Sequence, residues 1–308
     1  MSPLHWLTMV GQMAGRRELE RRLRALGDID TILGVMKNLA LMEAGKLSRI
    51  LVAQREMVTS LEETGADFLT FYPQPKPADD QRVEVVLLVG SQRGLCGDFN
   101  DLLLAALPQV ENSASTWLKI SVGEKLAGRL QADVHLDGPH AVEEIGPVIH
   151  AVMDAINNLL IRVGSGSPLQ LSALYHDPDS GIVEVKPLAP FAGRTVQPKL
   201  SASFPPHMNI LPSTFFAHLT EQHLLAAITE VFNRSLMAES RFRLNHIEGA
   251  SRRMERRAAE LKRKQSLARQ EEIIEEIEAI LAGAGLDATE AEGVKHISGS
   301  PEKPCSAR

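Results

Sequence analysis

From Arg16 to Phe71 the chain runs without a proline, and apolar side chains return along it at alternating steps of four and three residues. Starting at Leu19, these steps visit Leu19, Leu23, Leu26, Asp30, Leu33, Lys37, Ala40, Ala44, Leu47, Leu51, Gln54, Val58 and Leu61; ten of the thirteen are apolar. A seam of that period, kept up for about six heptads, demands one long helix with a narrow apolar stripe. At about 1.5 Å per residue the helix would reach roughly 80 Å. No single globular core is that wide, so a second helix must cover the stripe.

The partner is predicted at the other end of the chain. No proline occurs from Ser213 to Ala282, and Leu244, Ile247, Ser251, Met254, Ala258, Leu261, Gln265 and Ala268 keep the same spacing. Ser213 reads as the N-cap of this helix, and Gly283 and Gly285 as its stop. About seventy residues would give roughly 105 Å. The aromatic content of 4% agrees with narrow helix seams in place of a bulky core.

Between the two helices the texture changes. Pro73, Pro75 and Pro77 end the first helix. Val83–Val89 is an unbroken apolar run, the mark of a strand buried on both faces. Trp117–Val122, Leu169–Tyr175 and Ile182–Val185 read as further strands, with helices near Asp98–Leu107, Glu124–Leu130 and Val142–Val163. Strands alternating with helices predict an α/β layer on a largely parallel sheet. Pro187–Pro212 carries six prolines and reads as an irregular connection. The expected fold is therefore α/β: an antiparallel coiled coil of long N- and C-terminal helices with an inserted Rossmann-like α/β domain. Its parts are a first coiled-coil helix over 13–72, the α/β domain over 80–200, a second coiled-coil helix over 213–284, and a disordered tail over 285–308.

Composition excludes several functions. A net charge of −6 and a pI near 6.0 argue against general nucleic-acid binding. Cys96 and Cys305 are far apart and belong to no CxxC pair, so neither a disulfide framework nor a structural zinc site is expected. His218 and His223 are five apart, not the i, i+4 metal spacing, and no cofactor is expected. No apolar stretch is long enough to cross a bilayer, and Met1–Gly15 lacks the basic start of a signal peptide. Charge is nevertheless patterned. From Arg252 to Arg269 there are eight basic residues and two acids, and from Glu271 to Glu290 seven acids and no base.

Three segments carry a family resemblance. Met13-Ala-Gly-Arg-Arg-Glu-Leu-Glu-Arg-Arg-Leu23 opens a basic helix. Ser91-Gln-Arg-Gly-Leu-Cys-Gly-Asp-Phe-Asn100 follows the first strand. Ala268-Arg-Gln-Glu-Glu-Ile-Ile-Glu-Glu-Ile-Glu-Ala-Ile-Leu-Ala-Gly-Ala284 closes the last helix. Together, and in this order, they resemble the gamma subunits of rotary ATP synthases. Arg93, Gly94, Leu95, Cys96 and Gly97 keep the family's Arg-Gly-Leu-Cys-Gly, and Arg269, Gln270, Ile273, Glu276, Ile280, Gly283 and Ala284 match its closing signature. Arg243–Ala250 fits a further segment loosely. The stretch Asp28–Met36, Ile274 and Ala279 depart from the pattern and mark a divergent branch.

The resemblance implies a non-catalytic central shaft, whose coiled coil turns inside a head of three catalytic and three non-catalytic subunits. Its α/β end would be driven by a membrane ring together with an epsilon-type subunit, on the cytoplasmic side of the bacterial inner membrane, with membrane contact only through those subunits. It also implies that Arg269 and Gln270 latch onto a loop of one catalytic subunit, a role suited to a bidentate guanidinium. An ordinary solvated helix face is the plainer reading of that pair. Arg252, Arg253, Arg256 and Arg257 are candidates for contact with acidic surfaces of the head, or again a solvated face. The Ser91–Asn100 segment, with Arg93, Gly94, Cys96 and Gly97, reads as a structural turn, since it lacks the Lys of a phosphate loop. Two other readings stand beside the shaft: a coiled-coil scaffold or adaptor unrelated to a synthase, and a nucleotide-binding α/β domain with helical arms.

Overall fold

The computed structural model describes residues 3–73, 83–110, 116–163, 169–188, 191, 205 and 207–293. In chain order the elements are α1 (Pro3–Phe71), β1 (Val83–Val89), α2 (Phe99–Val110), β2 (Thr116–Val122), α3 (Glu124–Ala127), β3 (Val134–Leu136), a 3-10 turn (Val142–Glu144), α4 (Ile145–Val163), β4 (Leu169–His176), β5 (Val183–Pro187) and α5 (Pro212–Gly293). They fall into two compact units: Met1–Ile32 with Ser251–Arg308, and Leu33–Ala250.

In the first unit α1 and α5 lie antiparallel. Gln265 Nε2 donates to Glu20 Oε1 at 3.4 Å, and Ser251 Oγ donates to Asp30 Oδ1 at 2.7 Å. Leu19, Leu23 and Leu26 are half-buried against a seam of Met254, Ala258 and the buried Leu261. Asp30 and Ser251 are polar interruptions of their two seams, and they meet each other. A matched polar pair of this kind pins the register of a coiled coil.

The second unit repeats the pairing and adds the sheet. Lys37 Nζ lies 2.9 Å from Glu248 Oε1, and Gln54 Nε2 donates to the Ala226 carbonyl at 3.0 Å. All three polar positions in the α1 seam thus find a polar partner on α5. Leu33, Ala40 and Leu47 are buried between these polar positions, and Val58 just beyond the last. Near the ends of the pairing Phe68 stacks on Tyr72 and Phe216 with ring centroids 5.0 and 5.7 Å apart.

The five strands run in the order β3-β2-β1-β4-β5. The pairs β1–β2, β1–β4 and β2–β3 are parallel, while β5 is antiparallel to β4. Side chains of β1 alternate between two cores, as the pleat requires. Val85, Leu87 and Val89 face α1, α4 and α5 through Leu47, Val152, Ile156, Ile228 and Phe232. Val86 and Leu88 face α2 and α3 through Leu103, Leu107 and Leu126. The sheet is a central layer covered by helices on both sides, which is why β1 is an unbroken apolar run.

Several boundaries differ from expectation. α1 starts at Pro3, ahead of residue 13, and α5 starts at Pro212, so Ser213 lies inside the helix and does not cap it. Proline suits the first helical position because its missing N–H would have no partner there. α5 also continues past Gly283 and Gly285 to Gly293. A lone glycine costs a helix only about 1 kcal/mol, so it punctuates without ending it. β3 escaped the sequence reading because three residues leave no periodic trace. Pro75, Pro77, most of the Pro187–Pro212 connection and residues 294–308, including Cys305, lie outside the described residues.

Candidate functional site

The segment after β1 is held by polar side chains that the sheet and the helices place around it. β1 ends at Val89, and the Gly90 amide donates to the Val122 carbonyl at 2.9 Å. Gly123 passes close by with φ 112, and a Cβ there would sit 2.8 Å from the Gly90 and Ser91 carbonyl oxygens. Asn100 closes the turn across nine residues. Its Oδ1 accepts from the Ser91 amide at 3.0 Å, and its Nδ2 donates to Ser91 Oγ at 2.9 Å. Leu95 and Gly97 take the left-handed backbone, with φ 64 and 61. Gln92 Oε1 accepts from the Glu124 and Gly138 amides at 2.9 and 2.7 Å, tying in the loops after β2 and β3.

This turn sits on a buried ionic cluster supplied by both long helices. Glu239 of α5 accepts from the Gln92 and Arg93 amides at 3.4 and 3.3 Å, and from Arg243. Arg93 Nη1 donates to Glu43 Oε1 of α1 at 2.9 Å, and Arg243 Nη1 lies 3.8 Å from Glu43 Oε2. Glu43, Glu239 and Arg243 are each at least nine-tenths buried. Burial pushes the Glu239 carboxyl up, against the pull of Arg243 and the two amides. Burial, with the Glu239 charge adding to it, also pushes the Cys96 thiol up to about 12. That thiol lies 3.4 Å from the Arg93 and Gly94 carbonyl oxygens, so it is a packed, protonated group and not a nucleophile.

The sheet topology explains where this cluster lies. The chain steps outward from β1 through β2 to β3, then returns to β4 on the other side of β1. In such sheets the crevice at the carboxyl ends of the two strands flanking the reversal is where ligands sit. Here α5 occupies it: Ser235 Oγ donates to the Val89 carbonyl at 3.3 Å, Glu239 takes the amides after β1, and Arg234 donates to Asp177 after β4. The chain fills the crevice with its own helix, and Glu43, Glu239 and Arg243 arrive there by the topology. Single charged letters in a helical run gave no sign of this. The visible trace was in the turn itself, in Arg93, Gly94, Cys96 and Gly97 bracketed by the polar Ser91 and Asn100.

The other candidates lie in the unit formed by the chain ends. Arg252, Arg253, Arg256 and Arg257 are exposed on α5. Arg256 Nε donates to the Arg252 carbonyl at 3.2 Å, and Arg257 lies 3.8 Å from Glu260. Arg269 and Gln270 are exposed one helical stretch later, followed by exposed Ile273, Ile277 and Ile280. His223 is buried 4.0 Å from Glu62, and the described residues contain no cluster suited to a metal ion.

A mixed sheet inserted between two long helices, its strand-reversal crevice crossed by the second of them, is the fold class of this chain. The family model described as ATP synthase matches residues 15–285, and the chain belongs to that family. Within it the chain is a divergent gamma-type subunit. It is 21% identical over 288 residues to the ATP synthase gamma chain of Clostridium beijerinckii, covering 88% of this chain and 98% of that one. It is 23% identical over 244 residues to the mitochondrial ATP synthase subunit gamma of Kluyveromyces lactis, covering 77% and 81%. The fold is shared with a chain of the Euglena gracilis mitochondrial ATP synthase rotor, at TM-score 0.58 and 13% identity over 84% of this chain and 99% of that one. A chain in the OSCP/F1/c-ring structure of the same enzyme superposes at TM-score 0.61 and 15% identity, over 94% and 99%.

Proposed function

We propose that this chain is the central rotor shaft of a rotary ATP synthase, coupling ion flow through the membrane sector to ATP synthesis or hydrolysis on other subunits. The observation that carries the reading is a family match unbroken from residue 15 to 285, through both seam helices and the inserted sheet. The chain contributes no catalytic group; the catalytic sites belong to partner subunits. Turning within a ring of three catalytic and three non-catalytic subunits, the two-helix portion presents a different side to each. A shaft works through such differential contact, because each catalytic subunit shifts towards the state the facing side favours.

Arg269 and Gln270 are the proposed latch to a catalytic subunit, and Arg252, Arg253, Arg256 and Arg257 the proposed contacts with acidic surfaces of the head. Their exposure, and the guanidinium's fit to a carboxylate, support these roles. The α/β domain faces the epsilon-type subunit and the membrane ring. We place the protein peripherally, on the cytoplasmic side of the bacterial inner membrane, held there by those subunits. Among the described residues no helix is long and apolar enough to cross a membrane.

The test is co-expression with the catalytic and non-catalytic subunits of an ATP synthase head. The shaft should co-purify with them, and ATP hydrolysis by the head should depend on its presence. Failure to bind the head, together with self-association of the chain through its helices, would return the reading to a scaffold or adaptor.

A further inference from the structure

The turn after β4 is fastened to both long helices by charge. Asp177 is buried at the carboxyl end of β4. Its Oδ2 accepts from the Ser180 amide and hydroxyl, both at 2.8 Å, and its Oδ1 from Arg234 of α5. Burial acts to raise this carboxyl, but the bonds from Ser180 and Arg234 outweigh it and hold it below its ordinary value. Asp179, at the tip of the turn, gathers three guanidiniums: Arg55 of α1 at 3.6 Å, Arg241 at 3.8 Å and Arg234 at 4.0 Å. Arg241 also donates to the Pro178 carbonyl. Glu230, one turn before Arg234, lies 3.6 Å from it and accepts from Lys186 of β5. Four cations meet three carboxylates here, and of these Arg55, Asp179, Glu230, Arg234 and Arg241 line a cavity of about 220 Å³ with Leu51, Val52 and Met237.

The geometry points to this arginine clamp, Arg55, Arg234 and Arg241 on the Asp177–Asp179 turn, as a positioning device that carries twist between the α/β sheet and the paired helices. The inference rests on the rotor reading. Between these polar fastenings the sheet meets α5 through apolar side chains such as Val85, Leu87, Ile228 and Phe232, and packed apolar helices slide by small shears. Ion pairs and hydrogen bonds with fixed donors and acceptors resist that sliding. The clamp also has a counterpart. Arg234 and Glu239 are five residues apart, which places them about 140° apart around α5 at 3.6 residues per turn. The turn after β4 grips one side of the helix, and the turn after β1 grips another through Glu239. Two grips spread around the circumference prevent the helix from rolling against the sheet, which a single grip would permit.

The test uses the complete ATP synthase, with the head immobilised and a rod attached to the α/β domain. The double variant Arg55→Gln/Arg241→Gln changes side chains that are 66% and 45% exposed, and leaves the core alone. It should assemble, hydrolyse ATP at the wild-type rate and unfold at the wild-type temperature. Its angular fluctuations about each pause should broaden, and ATP-driven ion uptake by vesicles should fall. Arg234→Gln should broaden them further, and Arg234→Lys should recover part of the loss. Unchanged fluctuation widths in the double variant overturn the proposal, even if Arg234→Gln fails to assemble. A wild-type complex that hydrolyses ATP without turning this chain sinks the rotor reading itself, a result distinct from a rotating wild type with unaltered variants.

Discussion

Arg243→Met isolates the energetics of the buried cluster. The guanidinium faces two carboxylates, Glu239 and Glu43, whose side chains are 5% and 8% exposed. Removing one partner from a buried ion pair costs about 3–5 kcal/mol, because the charge left behind is uncompensated. Glu43 keeps Arg93, and Glu239 keeps two backbone amides, so the loss should lie at the lower end, about 3 kcal/mol. The second substitution Glu239→Gln removes the orphaned charge while keeping an oxygen for the amides. The double variant should therefore be more stable than Arg243→Met alone, giving a coupling of about 1–3 kcal/mol. The loss should also depend on pH. A buried carboxyl without its partner has a raised pKa, so above the unfolded value of about 4.3 the native state holds a proton that the unfolded chain has released. Stability then falls as pH rises, and the penalty should be smaller at pH 5.5 than at pH 8. Urea denaturation of the full chain, followed by circular dichroism at both pH values, measures this. A cost under about 1 kcal/mol at pH 8, or a penalty independent of pH, would refute the picture of one arginine neutralising two buried carboxylates.

Three further outcomes are expected. Leu47→Ala, at a fully buried seam position joining α1 to the sheet core, should lower stability by about 2–5 kcal/mol in the same assay, and a loss below about 1 kcal/mol would mean the seam closes over the gap. Cys96, its thiol pushed up to about 12, should stay unmodified by maleimide at pH 8 in the native chain and react in urea; peptide mapping by mass spectrometry reads both states, and rapid native labelling would contradict the packed thiol. Arg269→Glu should leave the fold and assembly intact but lower ATP-driven ion pumping relative to hydrolysis, whereas unchanged coupling removes Arg269 from the latch.

The helices were legible because a seam is a repeated signal. Every α1 seam position except Asp30 is at least half-buried, and Asp30 meets Ser251. The four longer strands were legible as an apolar run in β1 and as short stretches mixing apolar with polar residues in β2, β4 and β5. β3 was too short to leave a pattern, and the antiparallel pairing of β5 is a tertiary choice with no local trace. The turn at Arg93, Gly94, Cys96 and Gly97 could be placed from its glycines and its position after a strand. What the turn rests on could not. Glu43, Glu239 and Arg243 are separated by up to two hundred residues, and each reads alone as a solvated charge on a helix. Their burial follows from α5 crossing the strand reversal, a fact of topology that no window of sequence contains.

The two anchorages on α5 impose a counting rule on the chain. One residue added between Arg234 and Glu239 would swing everything beyond it by about 100° and advance it by about 1.5 Å. One anchorage could then close only by opening the other. This short piece of helix therefore behaves as a gauge block whose residue number is set by the spacing between two neighbouring strand ends.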